Sequence, residues 1–263
     1  MKPEHQPFTA LLRQIEDAER KFFAGYYAEQ RYSPIGWRLR LQRDARILCG
    51  AAPGGRLGRV LSIGCGDGQF ELMLAPRARS VLGVDISPEA IDVARRAQAR
   101  AATPNVEFRC VSVADLELTE RFDTIVCVAF LHHLPAAGLE GFLEFVAAHL
   151  EPGGLLYTQD PSVNGLLRHV GRIVLGRRYD TYHSPDEREL DPGEVITALR
   201  GAGFSSIVLR YIDVTLIPML YAAMRAPAPL FHACAAFDRL WCASPLARWA
   251  SGFCILARTP ATS

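Results

Sequence analysis

The sequence predicts an α/β fold in which a parallel sheet carries helices on both faces. Two observations support this prediction. Between residues 59 and 160, short apolar runs alternate with segments of helical spacing, a pattern typical of doubly wound sheets with right-handed crossovers. One junction, "LSIGCGDGQF" (61–70), places three glycines between an apolar run and a helix-compatible segment.

The elements can be followed along the chain. Residues 9–50 show helical spacing with charged faces, and strands and helices alternate after them. Ser87 can cap the helix after the second strand, and Pro88 and Glu89 suit its first turn. The helix at 135–150 is expected to end at "EPGG". The predicted strands are 59–64, 80–85, 106–111, 122–130, 155–160, 205–213 and 252–259, and the later helices are 68–75, 87–101, 135–150 and 191–204.

Composition limits the classes of protein that the chain can represent. Its 263 residues suffice for one large α/β domain or two small ones. The net charge of +1 gives no general attraction to nucleic acid. Seven cysteines without CxxC spacing favour a reduced, cytoplasmic location. The N-terminus lacks a signal-peptide pattern, and prolines interrupt the longest apolar stretch, so we expect no spanning helix.

The glycine-rich junction is typical of a nucleotide site. Gly64 can leave the strand with a backbone that other residues resist, and Gly66 and Gly68 have no Cβ to keep a ligand away. The spacing is G-x-G-x-G, with Gln69 where a dinucleotide site needs a small residue, so a pyrophosphate ligand is disfavoured. No Gly-Lys-Ser/Thr follows, which excludes a Walker loop. A turn without any ligand stays open as an alternative.

An acidic residue strengthens the nucleotide interpretation. Asp85 ends the second strand about twenty residues after the glycine turn, where a carboxylate can accept both ribose hydroxyls of an adenosine. The alternative is a helix cap, but Ser87 already suits that role.

Five segments in order resemble the class I S-adenosylmethionine (SAM) methyltransferases. They are "VLSIGCGDG", "VLGVDIS", "VEFRCVSVADL", "RFDTIVCVAFLHHL" and "LEPGGLLYTQD". The resemblance implies a Rossmann-like seven-stranded sheet with an antiparallel last strand, and SAM as cofactor with S-adenosylhomocysteine as product. We predict one domain over 1–263, with a helical cover (1–55), a SAM-binding core (56–160), lid or substrate segments (161–190 and 214–250) and a final strand and tail (251–263).

The resemblance implies roles for individual residues at the start of the core. Gly64, Cys65 and Gly66 would line the amino-acid end of SAM. Asp85 would hold the ribose, and Ile86 would cover one face of the adenine.

The resemblance also extends to the third and fourth strands, with departures. Ser112 and the backbone N–H of Val113 would contact adenine, although the family often has Asp at the position of Ser112. Cys127 and Val128 would lie beside the methionine moiety. Ser62 stands where the family usually has an acidic residue that supports the SAM amino group, and Asp67 is a candidate to compensate.

Catalytic residues are harder to assign because the sulfonium of SAM is already a strong methyl donor. The protein mainly has to place the acceptor in line with the methyl group. His132 and His133 are candidate general bases, and packing or capping is the alternative role for them. Asp160 and Tyr157 are further candidates, as are Tyr179, Tyr182 and His183 on a predicted lid. The sequence predicts no metal site.

Two apolar segments suggest the nature of the acceptor. Residues 164–178 have helical spacing, with a stripe of Leu166, Leu167, Val170, Ile173 and Val174 opposite basic residues. Such a helix suits a pocket lid, a phosphate-bearing lipid or an anionic membrane surface. Residues 216–250 are strongly apolar, with Leu230, Cys234, Phe237 and Trp241 at helical spacing beside Phe231. Core packing, a substrate pocket, a second subunit and a membrane surface all stay open for it.

These observations predict a SAM-dependent methyltransferase that acts on O, C or N of a small, largely hydrophobic acceptor. A lipid, a quinone-like ring or a natural-product intermediate would fit. A sugar or glycolipid methyltransferase and a non-catalytic partner subunit of the same fold are the alternatives. Nucleic acid is not an expected partner, whereas a homodimer and a peripheral membrane contact stay open.

Overall fold

The computed structural model of the protein describes residues 6–26, 32–175, 187–223 and 225–261. Its helices are α1 (Gln6–Tyr26), α2 (Pro34–Ala51), α3 (Gln69–Leu74), α4 (Pro88–Ala101), α5 (Leu139–His149), α6 (Leu166–Leu175), α7 (Pro192–Gly201), α8 (Leu216–Ala222) and α9 (Ala228–Cys242). Its strands are β1 (Gly58–Ile63), β2 (Ala78–Asp85), β3 (Val106–Cys110), β4 (Phe122–Val128), β5 (Leu150–Pro161), β6 (Ser206–Ile212) and β7 (Gly252–Arg258).

The seven strands form one sheet in the order β3-β2-β1-β4-β5-β7-β6. Strands β1 to β5 pair in parallel, and β7 runs antiparallel to both β5 and β6. The predicted doubly wound sheet with an antiparallel last strand is therefore confirmed. Chain order reverses between β1 and β4, so the carboxyl ends of these two strands flank the crevice where such sheets bind ligands.

Alternating side chains of the sheet supply two cores. On one face, Leu61 and Ile63 of β1 pack with the apolar side of α5. On the other face, Val60 packs with α2, α3 and α4. All three side chains are fully buried, which the two-residue period of a strand between two helical layers requires.

The junction between α5 and β5 differs from the sequence prediction. The segment "EPGG" (151–154) lies inside β5, which begins at Leu150, and does not separate the helix from the strand. Gly153 has φ = 74°, a conformation that glycine adopts without strain. This residue lies in the stretch where the pairing of β4 with β5 shifts register, so the glycines mark an irregularity in the strand.

The apolar stripe of α9, for which the sequence left several roles open, is not the buried side of the helix. Phe231 and Asp238 form the buried side, whereas Leu230, Phe237 and Leu240 are exposed. Asp238 explains this orientation because its carboxylate accepts hydrogen bonds from the backbone N–H groups of residues 214–216, at the start of α8. A buried polar anchor thus orients α9.

On α6, three residues of the predicted stripe, Leu166, Val170 and Ile173, are exposed, and Ile173 is 84% accessible. Within the described part of the chain, no helix has the length and apolar character to cross a bilayer. The division into cover, core and lid segments stays a prediction. Tyr179, Tyr182 and His183 fall outside the described residues.

Candidate active site

A cavity of about 260 Å³ opens at the carboxyl ends of β1, β2 and β4. We call the lining residues between positions 64 and 113 that surround the glycine turn the cofactor wall; they are Gly64, Cys65, Gly66, Asp67, Glu71, Asp85, Ile86 and Val113. We call a second set of lining residues the acceptor wall; they are Glu19, Phe22, Phe23, Tyr32, Trp37, Arg40, Phe130, His132, His133, Glu187 and Tyr221. Val128 and Ala129, at the end of β4, also line the cavity.

The glycine turn is fixed by its own backbone. The N–H groups of Gly64 and Cys65 both donate to the carbonyl of Val84 in β2, at 2.9 and 3.1 Å. Gly64 has φ = 71°, and a Cβ there would lie 2.6 Å from the Phe130 ring. Gly68 has a different role from the one expected, because a Cβ there would meet Phe108 at 2.5 Å and not the cavity. Its absent side chain allows close packing between the turn and β3.

Asp85 connects the glycine turn to the end of β2 by hydrogen bonds, and its carboxylate can still accept further hydrogen bonds. Its Oδ2 accepts from the Gly66 N–H at 2.8 Å, and its Oδ1 accepts from the Ser87 N–H at 2.9 Å. Burial raises the pKa of Asp85, and these backbone hydrogen bonds only partly offset it. Because a carboxylate has about four acceptor positions, two remain for a ligand. Ser87 caps α4 through the Ala90 N–H, as expected.

The remaining predicted cofactor residues divide into two groups. Ile86, Val113 and Val128 line the cavity. Ser112 and Cys127 do not appear in its lining. The Ser112 hydroxyl accepts from the Ala114 N–H at 2.9 Å and contacts the carboxylate of Glu16 in α1. Cys127 is fully buried in the core.

The two histidines follow β4 in a short helical turn, Leu131–His133. The backbone N–H and Nδ1 of His132 lie 3.1 and 2.9 Å from Asp160 Oδ1. Thr158 donates to the other oxygen of Asp160 at 2.6 Å. Burial and the neighbouring His133 lower the pKa of His132, and Asp160 compensates only in part. His132 is therefore neutral at physiological pH.

The surroundings of His133 raise its pKa, whereas those of His132 lower the pKa of that residue. The Nδ1 of His133 lies 3.1 Å from Glu19 Oε2, and its ring centre lies 4.1 Å from that of His132. Burial lowers its pKa, but the hydrogen bond and charge of Glu19 outweigh burial and raise it overall. Glu187 Oε1 lies 3.7 Å from His132 Nε2. His132, His133 and Glu187 bring ligand atoms within 4.8 Å of one another, a spacing that would accept a metal ion.

Other candidates named from the sequence have different positions. Asp160 contacts His132, as described, whereas Tyr157 is fully buried in the core and does not line the cavity. Asp67 lines the cavity, but its carboxylate accepts from the backbone and side-chain nitrogens of Gln69 at 3.3 and 2.5 Å. Its hydrogen bonds thus support the glycine turn.

Sequence reasoning missed most of the acceptor wall. Trp37, Tyr32 and Tyr221 come from distant parts of the chain and carry no motif. Of this wall, only His132 and His133 were predicted from the sequence. Glu71 was also missed. It is 1% exposed, and Ser62 donates a hydrogen bond to its Oε1 at 2.5 Å.

Buried ion pairs fix α2 beside the site. Arg40 Nε donates to Asp213 Oδ2 at 3.1 Å, and its Nη2 donates to Gln159 Oε1 at 2.5 Å. Arg43, one turn later, contacts both Asp213 and Asp44. Asp213 follows β6 and has no solvent exposure. These pairs connect α2 to the sheet.

The residues of the cavity fit SAM. Asp85 offers free acceptor positions for ribose hydroxyls, Ile86 and Val113 offer apolar surface for adenine, and Glu71 has an unsatisfied buried oxygen among the described residues. A doubly wound sheet with such a crevice at its switch point defines an α/β protein that binds a nucleoside cofactor.

Similarity to known proteins supports this assignment. The family model described as "Methyltransferase domain" matches residues 60–154. "Ubiquinone biosynthesis O-methyltransferase" of Paracidovorax citrulli is 30% identical over 170 residues, which are 62% of this chain and 70% of that protein. The protein of the same name from Xanthomonas euvesicatoria is 32% identical over 181 residues, 65% and 70% of the two chains.

A solved structure shares the fold. It is the N-methyltransferase NodS from Bradyrhizobium japonicum in complex with S-adenosylhomocysteine, with a TM-score of 0.53 and 19% identity over 87% of this chain and 89% of that one. The chain belongs to the class I SAM-dependent methyltransferases, and SAM is its cofactor.

Proposed function

We propose that the protein methylates a hydroxyl group of a small, largely hydrophobic acceptor, with His132 as the general base. One observation carries this proposal: His132, held by the buried carboxylate of Asp160, lies among lining residues that are mostly aromatic. The two relatives are named as O-methyltransferases of ubiquinone biosynthesis, which supports a ring hydroxyl as the methyl acceptor.

The cofactor supplies an electrophilic methyl group on a sulfonium. In this proposal Gly64, Cys65 and Gly66 line its amino-acid end, and Asp85 holds the ribose. Ile86 and Val113 cover the adenine, and Val128 flanks the methionine moiety. In this proposal Ser112 and Cys127 do not contact SAM directly, because neither lines the cavity.

A hydroxyl oxygen that accepts a methyl group must lose its proton, so a base beside the acceptor contributes to the rate. The Nδ1–H of His132 is directed to Asp160, which leaves the Nε2 lone pair as the proton acceptor. The lowered pKa keeps this nitrogen unprotonated near neutral pH. His133 is the weaker candidate because Glu19 favours its protonated form.

The aromatic side chains support a flat, apolar acceptor. Phe22, Phe23, Trp37 and Phe130 line the same cavity as His132, and aromatic rings bind one another in offset or edge-on contacts.

The test uses His132→Gln, with His133→Gln as the matched control. With a panel of phenols, alkylated hydroxyquinols and sugars, we expect His132→Gln to lower kcat on a phenolic acceptor by about 10²- to 10⁴-fold. His132→Gln should leave the affinity for S-adenosylhomocysteine unchanged. His133→Gln should lower kcat by a smaller factor than His132→Gln. The wild-type rate should rise as the pH increases through a pKa below 6.5, and His132→Gln should abolish this rise. Full activity of His132→Gln, or methylation of sugars alone, would contradict the proposal.

The exposed apolar residues support an approach to a membrane surface for a hydrophobic acceptor. Leu166, Val170 and Ile173 of α6 and Leu230, Phe237 and Leu240 of α9 are exposed. Both helices contact α8, whose Tyr221 lines the cavity. Flotation with anionic vesicles should fall when Ile173 and Leu240 are changed to Ser, but not for Val208→Ser, an equally apolar exposed site on β6. Dimer dissociation by the double variant, without vesicle binding, would assign the surface to a second copy instead.

A further inference from the structure

Strand β1 lacks the carboxylate that the family usually has at the position of Ser62. The side chain at this position is 3% exposed. Its hydroxyl donates to Oε1 of Glu71 at 2.5 Å. Glu71 belongs to α3, is 1% exposed, and lines the cavity beside Gly64 and Gly66. A carboxylate therefore occupies this region, although it comes from the helix and not from the strand.

The second oxygen of Glu71 is unsatisfied. Among the described residues, Oε2 has no hydrogen-bond partner although it is buried. A buried charged acceptor without a partner is costly, and a cationic N–H donor in the cavity would remove that cost. The groups around Glu71 include the acidic Asp67 and Asp85 and the thiol of Cys65, and the cavity also contains Tyr32, Arg40, Glu16, Glu19 and His133.

Arg40 of α2 lines the same cavity but does not form a hydrogen bond with Glu71. Arg40 directs its hydrogen bonds to Asp213 and Gln159. The local excess of carboxylates at the glycine turn therefore favours a positively charged ligand group next to Glu71.

We infer that Glu71 binds the α-ammonium group of SAM, and that Ser62 is the positioning residue that orients the Glu71 carboxylate. The inference deepens the proposed function and rests on its placement of the amino-acid end of SAM at Gly64–Gly66. In this chain, the acidic contact of β1 has moved to the first turn of α3, and serine takes its place as the hydrogen-bond donor.

The position of Glu71 gives this contact a pH signature. Burial raises the pKa of Glu71 to about 7, against the hydrogen bonds of Ser62 and the backbone. A cation beside the carboxylate lowers that pKa again. Ligand binding near pH 7 should therefore release a fraction of a proton, and affinity should increase from pH 6 to pH 8.

The experiment compares two ligands by titration calorimetry. One is S-adenosylhomocysteine, and the other is its deaminated analogue, in which hydrogen replaces the α-amino group. We expect Glu71→Gln to weaken binding of S-adenosylhomocysteine by about tenfold or more and to leave the analogue unaffected. In buffers of different ionisation enthalpy, the wild type should release protons with S-adenosylhomocysteine, and Glu71→Gln should not.

A second variant keeps the test decisive if Glu71→Gln folds poorly. Ser62→Asp combined with Glu71→Ala returns the carboxylate to β1 and should restore the preference for S-adenosylhomocysteine over the analogue. Equal weakening of both ligands by Glu71→Gln would overturn the inference, because the role would then be structural. An unchanged preference would overturn it too. If the wild type bound neither ligand, the proposed placement of the cofactor would fail with it.

Discussion

The cofactor wall and the acceptor wall of the cavity are built in different ways. The cofactor wall comes from a short stretch of sequence, residues 64–113, at the ends of three adjacent parallel strands. The acceptor wall gathers residues from Glu19 to Tyr221. Backbone conformation holds the first, whereas buried charges between distant segments hold the second. Substitutions should therefore damage the two walls by different routes.

On the acceptor side, the largest effect is expected from Asp213→Asn. Asp213 has no exposure and pairs with Arg40 and Arg43. Its replacement leaves two largely buried guanidinium groups undercompensated, so the free energy of unfolding should fall by about 3–5 kcal/mol. Asparagine tolerates the positive φ of 60° at this position, which makes charge the main difference. Urea unfolding measures the loss.

The pH dependence of the same variant sharpens the test. Burial raises the pKa of Asp213, but the charges of Arg43 and Arg40 outweigh it and lower the pKa overall. The stabilisation is therefore complete above the ordinary aspartate pKa of about 4 and is lost as the pH falls through the lower folded value. Asp213→Asn should decline less steeply in acid than the wild type. If Asp213→Asn lowers the free energy of unfolding by less than about 1 kcal/mol, these ion pairs do not hold α2 against the sheet.

On the cofactor side, Gly64→Ala should have an intermediate effect. A methyl group at φ = 71° is strained and would lie 2.6 Å from the Phe130 ring. Strain and overpacking together predict a loss of about 2–4 kcal/mol in the free energy of unfolding, with weaker binding of S-adenosylhomocysteine.

Gly54→Ala is the matched control for Gly64→Ala. Its φ is 58°, but a Cβ there meets nothing within 4 Å, so only the backbone strain of about 1–2 kcal/mol remains. Equal losses in the two variants would show that contact with Phe130 contributes nothing, and that the glycine turn is independent of the acceptor wall.

The same division explains what the sequence could predict. Strand periodicity and the G-x-G-x-G turn depend on neighbours in sequence, and the seven-stranded sheet with its antiparallel last strand was inferred correctly through the family resemblance. The end of β2 at Asp85 was also predicted from local pattern. Such features need no knowledge of distant contacts.

The acceptor wall could not be predicted because long-range packing decides it. The spacing of Leu230 and Phe237 did not decide which face of α9 is buried, because Asp238 decides it by anchoring the helix to the start of α8. Glu71 was hidden for a related reason: its role depends on Ser62, nine residues earlier and in another element. Neither relation leaves a period or a motif in the sequence.

The smallest expected effect falls where the two walls meet, at Ser112. Its hydroxyl caps the turn of Val113 and contacts Glu16 of α1, so it joins the cofactor wall to α1. Ser112→Ala removes both hydrogen bonds and should lower the free energy of unfolding by about 1 kcal/mol. Since Ser112 does not line the cavity, S-adenosylhomocysteine affinity should change by less than about twofold, whereas amide exchange in α1 should accelerate. A large loss of cofactor affinity without faster amide exchange in α1 would instead support direct contact between Ser112 and adenine. Ser112 would then belong to the cofactor wall.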